Sequence, residues 1–340
     1  MIKIKKNFDI ICFGSATRDI TVRSDDFSHV SAGDNFEDRG IFLDFGSKID
    51  IKELTYASGG GGTNTAATFA LQGLQTAFCG TIGADEAGLE IVREMKMLGI
   101  DLRFLTKQKE KMTNHSVIIS KGKEDRIILS YRGAAELMEI SMIPFEKISS
   151  RWFYLAPLSG LMCQEDTELK VTPFEEIVRF AKEKNSKVAI NPSKQQLALP
   201  EQLLKKIFQN VDILFLNKEE TSFLLKMDNE SEILKKIQAF FSGIFVMTKG
   251  VEGVIVSDGT YLYAAKPNPN RVIVDSTGAG DAFASGFLAG FIKHEGDIEK
   301  AIQLGMGNSE GNLRAVGAKT GLLKKDEEFV KAKVEKSVLQ

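Results

Sequence analysis

Phe8-Asp9-Ile10-Ile11-Cys12-Phe13-Gly14 decides the fold class of this 340-residue chain. The run is apolar except for Asp9 and stops at a glycine. A strand of a parallel sheet reads this way, because helices cover both of its faces and neither is left to water. Similar short runs recur at 76–82, 152–156, 187–190, 211–216 and 244–248, separated by stretches of helical periodicity such as 86–98 and 174–184. That alternation predicts an α/β fold, a doubly wound, mostly parallel sheet with helices on both faces.

Two regions break the rhythm. Residues 20–57 carry no helical pattern, and 116–130 reads as two strands joined across Lys121-Gly122-Lys123-Glu124-Asp125, a hairpin by its turn chemistry. Together they predict a small β-sheet lid standing off the main body. Another hairpin is expected at 253–257 and 260–264 across Asp258-Gly259, and the charged tail 324–336 reads as a solvated terminal helix. With no repeat, low-complexity tract or linker, the expectation is one domain, 1–340, with lid segments at about 20–57 and 113–133.

Composition narrows the partners. The chain is 43% hydrophobic with a net charge of -2. Its isoelectric point is near 6.1, and no cluster of Lys or Arg interleaves with aromatics, so nucleic acid is not an expected partner. Cys12, Cys79 and Cys163 lie far apart, as do His29, His115 and His294, which argues for free thiols and against a zinc site. The apolar run after Lys3, Lys5 and Lys6 is short and holds an acid, unlike a signal segment, and nowhere do about 18 apolar residues follow one another. A cytoplasmic protein with a small-molecule substrate and no membrane contact is expected.

Chemistry concentrates in Asp275-Ser276-Thr277-Gly278-Ala279-Gly280-Asp281, followed by Phe283, Phe287 and Phe291 at helical spacing. Glycines flanking an alanine let the backbone turn sharply and aim successive N–H groups at one point, at the positive end of a helix. A phosphate suits that point. Asp281 is then a carboxylate beside a bound anion, a placement that binding alone disfavours and that a base for an attacking hydroxyl explains. A second glycine cluster, Gly59-Gly60-Gly61-Gly62-Thr63-Asn64, again opens a helix, with Asn64 either a cap or a partner for a polyhydroxy ligand. Asp19, just past the first strand, is a surface acid or a grip for sugar hydroxyls. Asn217 and Glu220 read as a helix cap and a first-turn acid that face one way.

These patterns resemble the ribokinase-like, or PfkB, carbohydrate kinases over nearly the whole chain. Asp275 to Asp281 matches the signature D-[ST]-T-G-A-G-D, and the Gly59 cluster with Asn64 matches G-G-x-x-x-N-x-A. The resemblance implies transfer of the γ-phosphoryl group of ATP to a sugar hydroxyl, with Asp281 as base and the Gly278, Ala279 and Gly280 amides as anion hole. It implies that Asp19, Gly60, Gly61 and Asn64 hold the sugar, and that Asn217 and Glu220 order Mg²⁺ through its water shell. Thr248, Gly250 and Gly253 would wrap the ATP, Asn308 would border adenine, and Asp275 and Thr277 resemble a monovalent-cation loop, making K⁺ a candidate activator. Arg132, near the turn closing the lid hairpin, would meet the carboxylate of an acid sugar or face solvent. Ribose-, fructose- and keto-deoxy-acid-like acceptors fit the class. A nucleoside kinase and a non-catalytic sugar-binding regulator of the same fold are the rival readings, and relatives suggest a homodimer through the lid. A nicotinamide enzyme would need its glycine fingerprint directly after the first strand, where none stands.

Overall fold

The computed structural model describes residues 7–31, 39–121, 126–166 and 171–339. The strands are β1 (Phe8–Phe13), β2 (Thr17–Arg23), β3 (Ser28–Ser31), β4 (Arg39–Phe42), β5 (Glu53–Gly59), β6 (Thr76–Gly83), β7 (Asp101–Gln108) and β8 (Asn114–Ser120). Then come β9 (Arg126–Tyr131), β10 (Ser150–Leu155), β11 (Lys187–Ile190), β12 (Ile213–Asn217), β13 (Ile244–Thr248), β14 (Val254–Ser257), β15 (Tyr261–Ala265) and β16 (Val334–Val338).

Ten of them form one sheet in the order β16-β15-β14-β13-β12-β11-β10-β1-β6-β7. From β7 to β13 every pairing is parallel, and β14 to β16 extend the β13 edge antiparallel. Side chains alternate across β1 as the apolar run requires. Ile10 and Cys12 join one core with Phe78, Tyr154, Phe215 and Phe287, while Ile11 and Phe13 join another with Phe153, Phe174 and Val188. Asp9 is tolerated because it sits at the strand's start, where its carboxylate takes the Gln75 N–H at 3.0 Å and Arg151 at 3.1 Å. The expected doubly wound sheet is the one observed.

A separate four-stranded sheet, β5-β2-β8-β9, and a β3-β4 hairpin stand apart from it. The expected 116–130 hairpin is β8 with β9, and its turn, 122–125, lies outside the described residues, as do 32–38 of the first lid segment. Three features differ from expectation. β2 begins at Thr17, so Asp19 lies inside a strand of the small sheet, opposite Ala57 and Ser116, and not in a loop. β7 is an edge strand with polar residues along it, which disguises it as a connection. The charged tail forms no helix. Its last part is β16, which covers the β15 edge and lays Lys336 over Tyr261, 4.0 Å from the ring centre. Among the described residues no helix is long and apolar enough to cross a membrane.

Candidate active site

Parallel strands direct their C-terminal ends to one side of a sheet, and there β12 and β13 finish side by side with Asn217 paired to Thr248. The helix Ala279–Lys293 starts at the same side, its cap Gly278 at φ 82°, a left-handed conformation that glycine adopts without strain. A Cβ on Gly278 would fall 2.5 Å from that of Ala318, so the turn also needs the missing side chain. Of the expected anion-hole amides, that of Ala279 donates to the Ser276 carbonyl at 3.3 Å. The N–H groups of Gly278, Gly280 and Asp281 have no protein partner among the described residues.

The second glycine cluster arrives at the same point. The Asn64 amide donates to Asp281 Oδ2 at 2.9 Å, across 217 residues of sequence. Asn64 is 5% exposed, and its Oδ1 is a buried acceptor without a partner among the described residues. Gly61 lies beside the pair, since a Cβ there would stand 3.6 Å from Asp281 Oδ1 and 2.9 Å from Pro157. Gly60, at φ 94°, passes so close to Ser15 that a Cβ would reach its carbonyl at 2.5 Å. Asp19, 8% exposed, packs its carboxylate onto Gly59 and lies opposite Ser116.

Two cavities adjoin here. One, of about 270 Å³, is lined by Asn191, Asn217, Glu220, Gly278 and Asp281 among others. The second, of about 250 Å³, is mainly apolar, lined by Val251, Val254, Ile273, Phe283 and Met306 with Gly250, Gly253 and Ser276. Thr248 and Gly280 line both, and a Cβ on Gly280 would meet no atom within 4 Å. A flat apolar group in one cavity can therefore continue into the polar one past Gly280.

Burial pushes the Asp281, Asp19 and Glu220 carboxyls above the usual carboxylate range. Asn64 and the Lys319 ammonium oppose the rise at Asp281, whereas the Asp281 charge adds to it at Glu220. Asn217 and Glu220 form a reciprocal capping box, Asn217 Oδ1 taking the Glu220 N–H and Glu220 Oε2 the Asn217 N–H, both at 2.8 Å. The cap and the functional readings thus coexist, because the box leaves Glu220 Oε1 without a partner among the described residues.

The sequence model of the pfkB family carbohydrate kinases matches residues 7–324. The chain belongs to the pfkB family. It is similar to a ribokinase of Haemophilus influenzae, 26% identical over 288 residues that cover 82% of this chain and 88% of that one. It is also similar to a cytidine kinase of Thermococcus kodakarensis, 29% identical over 187 residues, 54% of this chain but only 63% of that relative. Among solved structures, Arabidopsis thaliana ribokinase complexed with ribose and ATP superposes with a TM-score of 0.73 at 20% identity, covering 92% or more of each chain: 93% of this one and 96% of that one. This protein is thus a kinase of the ribokinase-like fold.

Against the pattern of that family, four expected residues stand differently. Asn308 does not border the apolar cavity. It is fully buried behind it, with Nδ2 donating to Ala282 O at 2.7 Å and Thr68 Oγ1 at 3.1 Å, and Oδ1 accepting from the Leu323 N–H at 2.9 Å. Met306, Ser309, Glu310 and Leu313 of the same helix line the cavity instead. Arg132 is exposed, bonds Gln195 at 3.3 Å and lines neither cavity. Asp275 and Thr277, expected in a cation loop, are engaged with protein donors. Asp275 Oδ1 takes the Thr277 N–H, the Thr277 hydroxyl and Arg126 Nη1, and Oδ2 takes the Gly317 N–H. Three of those donors crowd Oδ1, while Oδ2 takes one. Although burial works upward on Asp275, these bonds outweigh it and hold the carboxyl below the usual range. The motifs also omit Lys319, Arg126 and Asn191, which only the folded chain brings to the cleft.

Proposed function

We propose that the protein transfers the γ-phosphoryl group of ATP to a hydroxyl of a sugar, as one kinase domain whose four-stranded sheet serves as the lid over the acceptor. The observation that carries this reading is the hydrogen bond between Asn64 and Asp281 at the mouth of the helix Ala279–Lys293, beside the free Gly280 and Asp281 amides. Asp19 and Asn64 Oδ1 bind acceptor hydroxyls. Asp281 takes the proton of the attacking hydroxyl, and its raised carboxyl makes it a better base than an ordinary aspartate. The amides of Gly278 and Gly280 and the helix dipole stabilise charge on the transferring oxygens, a contribution of about 3 kcal/mol per donor. Thr248, Gly250 and Gly253 shape the nucleotide cavity.

Mg²⁺ fits this donor set. Glu220 presents one free carboxylate oxygen into the cleft, and among the described residues no three His, Cys, Asp or Glu side chains cluster as direct ligands. Such a site suits an ion that keeps most of its waters and phosphate oxygens, and it would neutralise phosphate charge. Sheet closure would exclude water as a competing acceptor. The exposed Leu54, Tyr56, Ile128, Leu129 and Tyr131 of that sheet support a homodimer through it, which a monomeric mass in sedimentation would rule out.

The cytidine kinase relative favours a nucleoside as the second reading of the acceptor. Incubating the protein with Mg-ATP and ribose, fructose, 2-keto-3-deoxygluconate, fructose 6-phosphate or nucleosides, and reading ADP release, separates the two. Release that requires a sugar supports the proposal. No release with any acceptor would leave a non-catalytic regulator.

A further inference from the structure

Beside the cleft lies a buried cation that neither glycine motif contains. Lys319 has a side chain only 7% exposed, with Nζ 2.5 Å from Ser58 Oγ and 3.6 Å from Glu94 Oε2. Ser58 in turn donates to Glu94. The loop that bears Lys319 is fixed, because Asn312 Nδ2 donates to the carbonyls of Gly317 at 3.0 Å and Thr320 at 3.2 Å. Its neighbour Ala318 abuts Gly278, the cap of the helix that carries Asp281. At the other end Ser58 precedes Gly59, onto which Asp19 packs. The ammonium therefore spans the gap between the foot of the Asp281 helix and the strand end beside Asp19.

Glu94 alone is a poor reason to bury a lysine. It is 38% exposed, and a partner open to water returns little against the cost of desolvating an amine. Asp19 and Asp281 are the enclosed acids that also feel the Lys319 charge. We propose that Lys319 is a positioning residue of the phosphoryl transfer: its ammonium, seated on Ser58 and Glu94, is the buried counter-charge to the Asp281 and Asp19 carboxylates and ties the acceptor-binding strand to the loop under the catalytic helix. The catalytic half of this proposal rests on the reading of Asp281 as base.

The other groups facing this set are known. Asp281 faces Asn64 and lies within the field of Glu220 and the Tyr154 phenol; Asp19 meets Ser116 from β8 and lies near Arg18 and Asp275; Lys319 meets Glu94 from the helix Glu86–Met97. Burial lowers the Lys319 ammonium from its ordinary value, and the surrounding acids raise it again.

The test needs no acceptor. A carboxyl raised in the folded state contributes stability that is lost as pH rises through its folded value, and removal of Lys319 raises Asp281 and Asp19 further. Thermal unfolding of wild type, K319M, K319R and K319M/D281N is followed from about pH 5.5 to about pH 8.5. The Tm deficit of K319M is expected to widen as pH rises, K319R to follow wild type, and D281N in the K319M background to narrow the widening. E94Q, at a partly exposed site that will fold whatever K319M does, removes the competing anion and should shift the pH dependence the opposite way. A K319M deficit that is constant with pH, or an E94Q profile parallel to wild type, overturns the proposal. With Mg-ATP and whichever acceptor of the panel above wild type phosphorylates, D281N as active as wild type would reject Asp281 as base, and the unfolding profiles would still judge Lys319.

Discussion

Replacing Gly59 by alanine isolates the acceptor site from the nucleotide site. Gly59 does not have a positive φ, so alanine suits its backbone, and the whole effect comes from space. A Cβ there would stand 2.0 Å from Asp19 Oδ2 and 2.9 Å from its Cγ, well inside the 3.0 Å below which such contacts essentially do not occur. Neither side can yield at no cost. Asp19 is enclosed, on a strand between β5 and β8, so the acid must swing off its position or β5 must shift from β2. Overpacking of this kind costs about 1–3 kcal/mol of stability. A displaced Asp19 loses its bonds to acceptor hydroxyls, worth about 1.5–3 kcal/mol for a charged group, or about 10- to 150-fold in binding. The assay is steady-state ADP release with the acceptor and then ATP varied. KM for the acceptor should rise by that factor while KM for ATP stays near wild type. An unchanged acceptor KM in a folded G59A enzyme would refute Asp19 as a substrate ligand.

Gly280 gives the complementary case. Alanine in that first helical turn is favoured over glycine by about 0.5–1 kcal/mol, so G280A should keep or raise its Tm. Its methyl group would enter the space joining the two cavities, and turnover should fall about 100-fold as the phosphate loses its seat. Monovalent cations offer a further check. Since Arg126 and three other donors engage the Asp275 carboxylate, exchanging K⁺ for Na⁺ or choline should leave turnover unaltered, and several-fold activation by K⁺ would show that the Arg126 contact opens. The pH profile follows from Asp281. Its carboxyl is raised by burial and must be ionised to act, so activity should fall on acidification at a pH above the usual carboxylate range. An acid limb at ordinary carboxylate pH would contradict this.

The sheet was legible because a strand covered on both faces has almost no choice of residue, and β1, β11 and β13 stand where the apolar runs lie. The glycine motifs were legible for a similar reason, since Gly60 and Gly278 combine positive φ with contacts that exclude a Cβ. Edge strands were not. β16 has one side open to solvent and accepts Lys336 and Glu335, so its charge resembles that of a helix. Lys319 was hidden more thoroughly. In Gly317-Ala318-Lys319-Thr320 it reads as a surface lysine, and its enclosure depends on Ser58 and Glu94, which are more than 200 residues away. Asn308 illustrates the reverse, a polar residue in a recognisable place whose bonds to Thr68, Ala282 and Leu323 commit it to packing.

The assignment of Asp281 as the base for an acceptor hydroxyl is tested most directly by D281N. The measurement is ADP release from Mg-ATP with the acceptor that wild type uses, alongside ATP binding by calorimetry. Asparagine keeps the shape but cannot take the proton, so turnover should fall about 10²- to 10⁴-fold while ATP affinity holds. Turnover within about tenfold of wild type, below the usual contribution of a general base, would contradict the account.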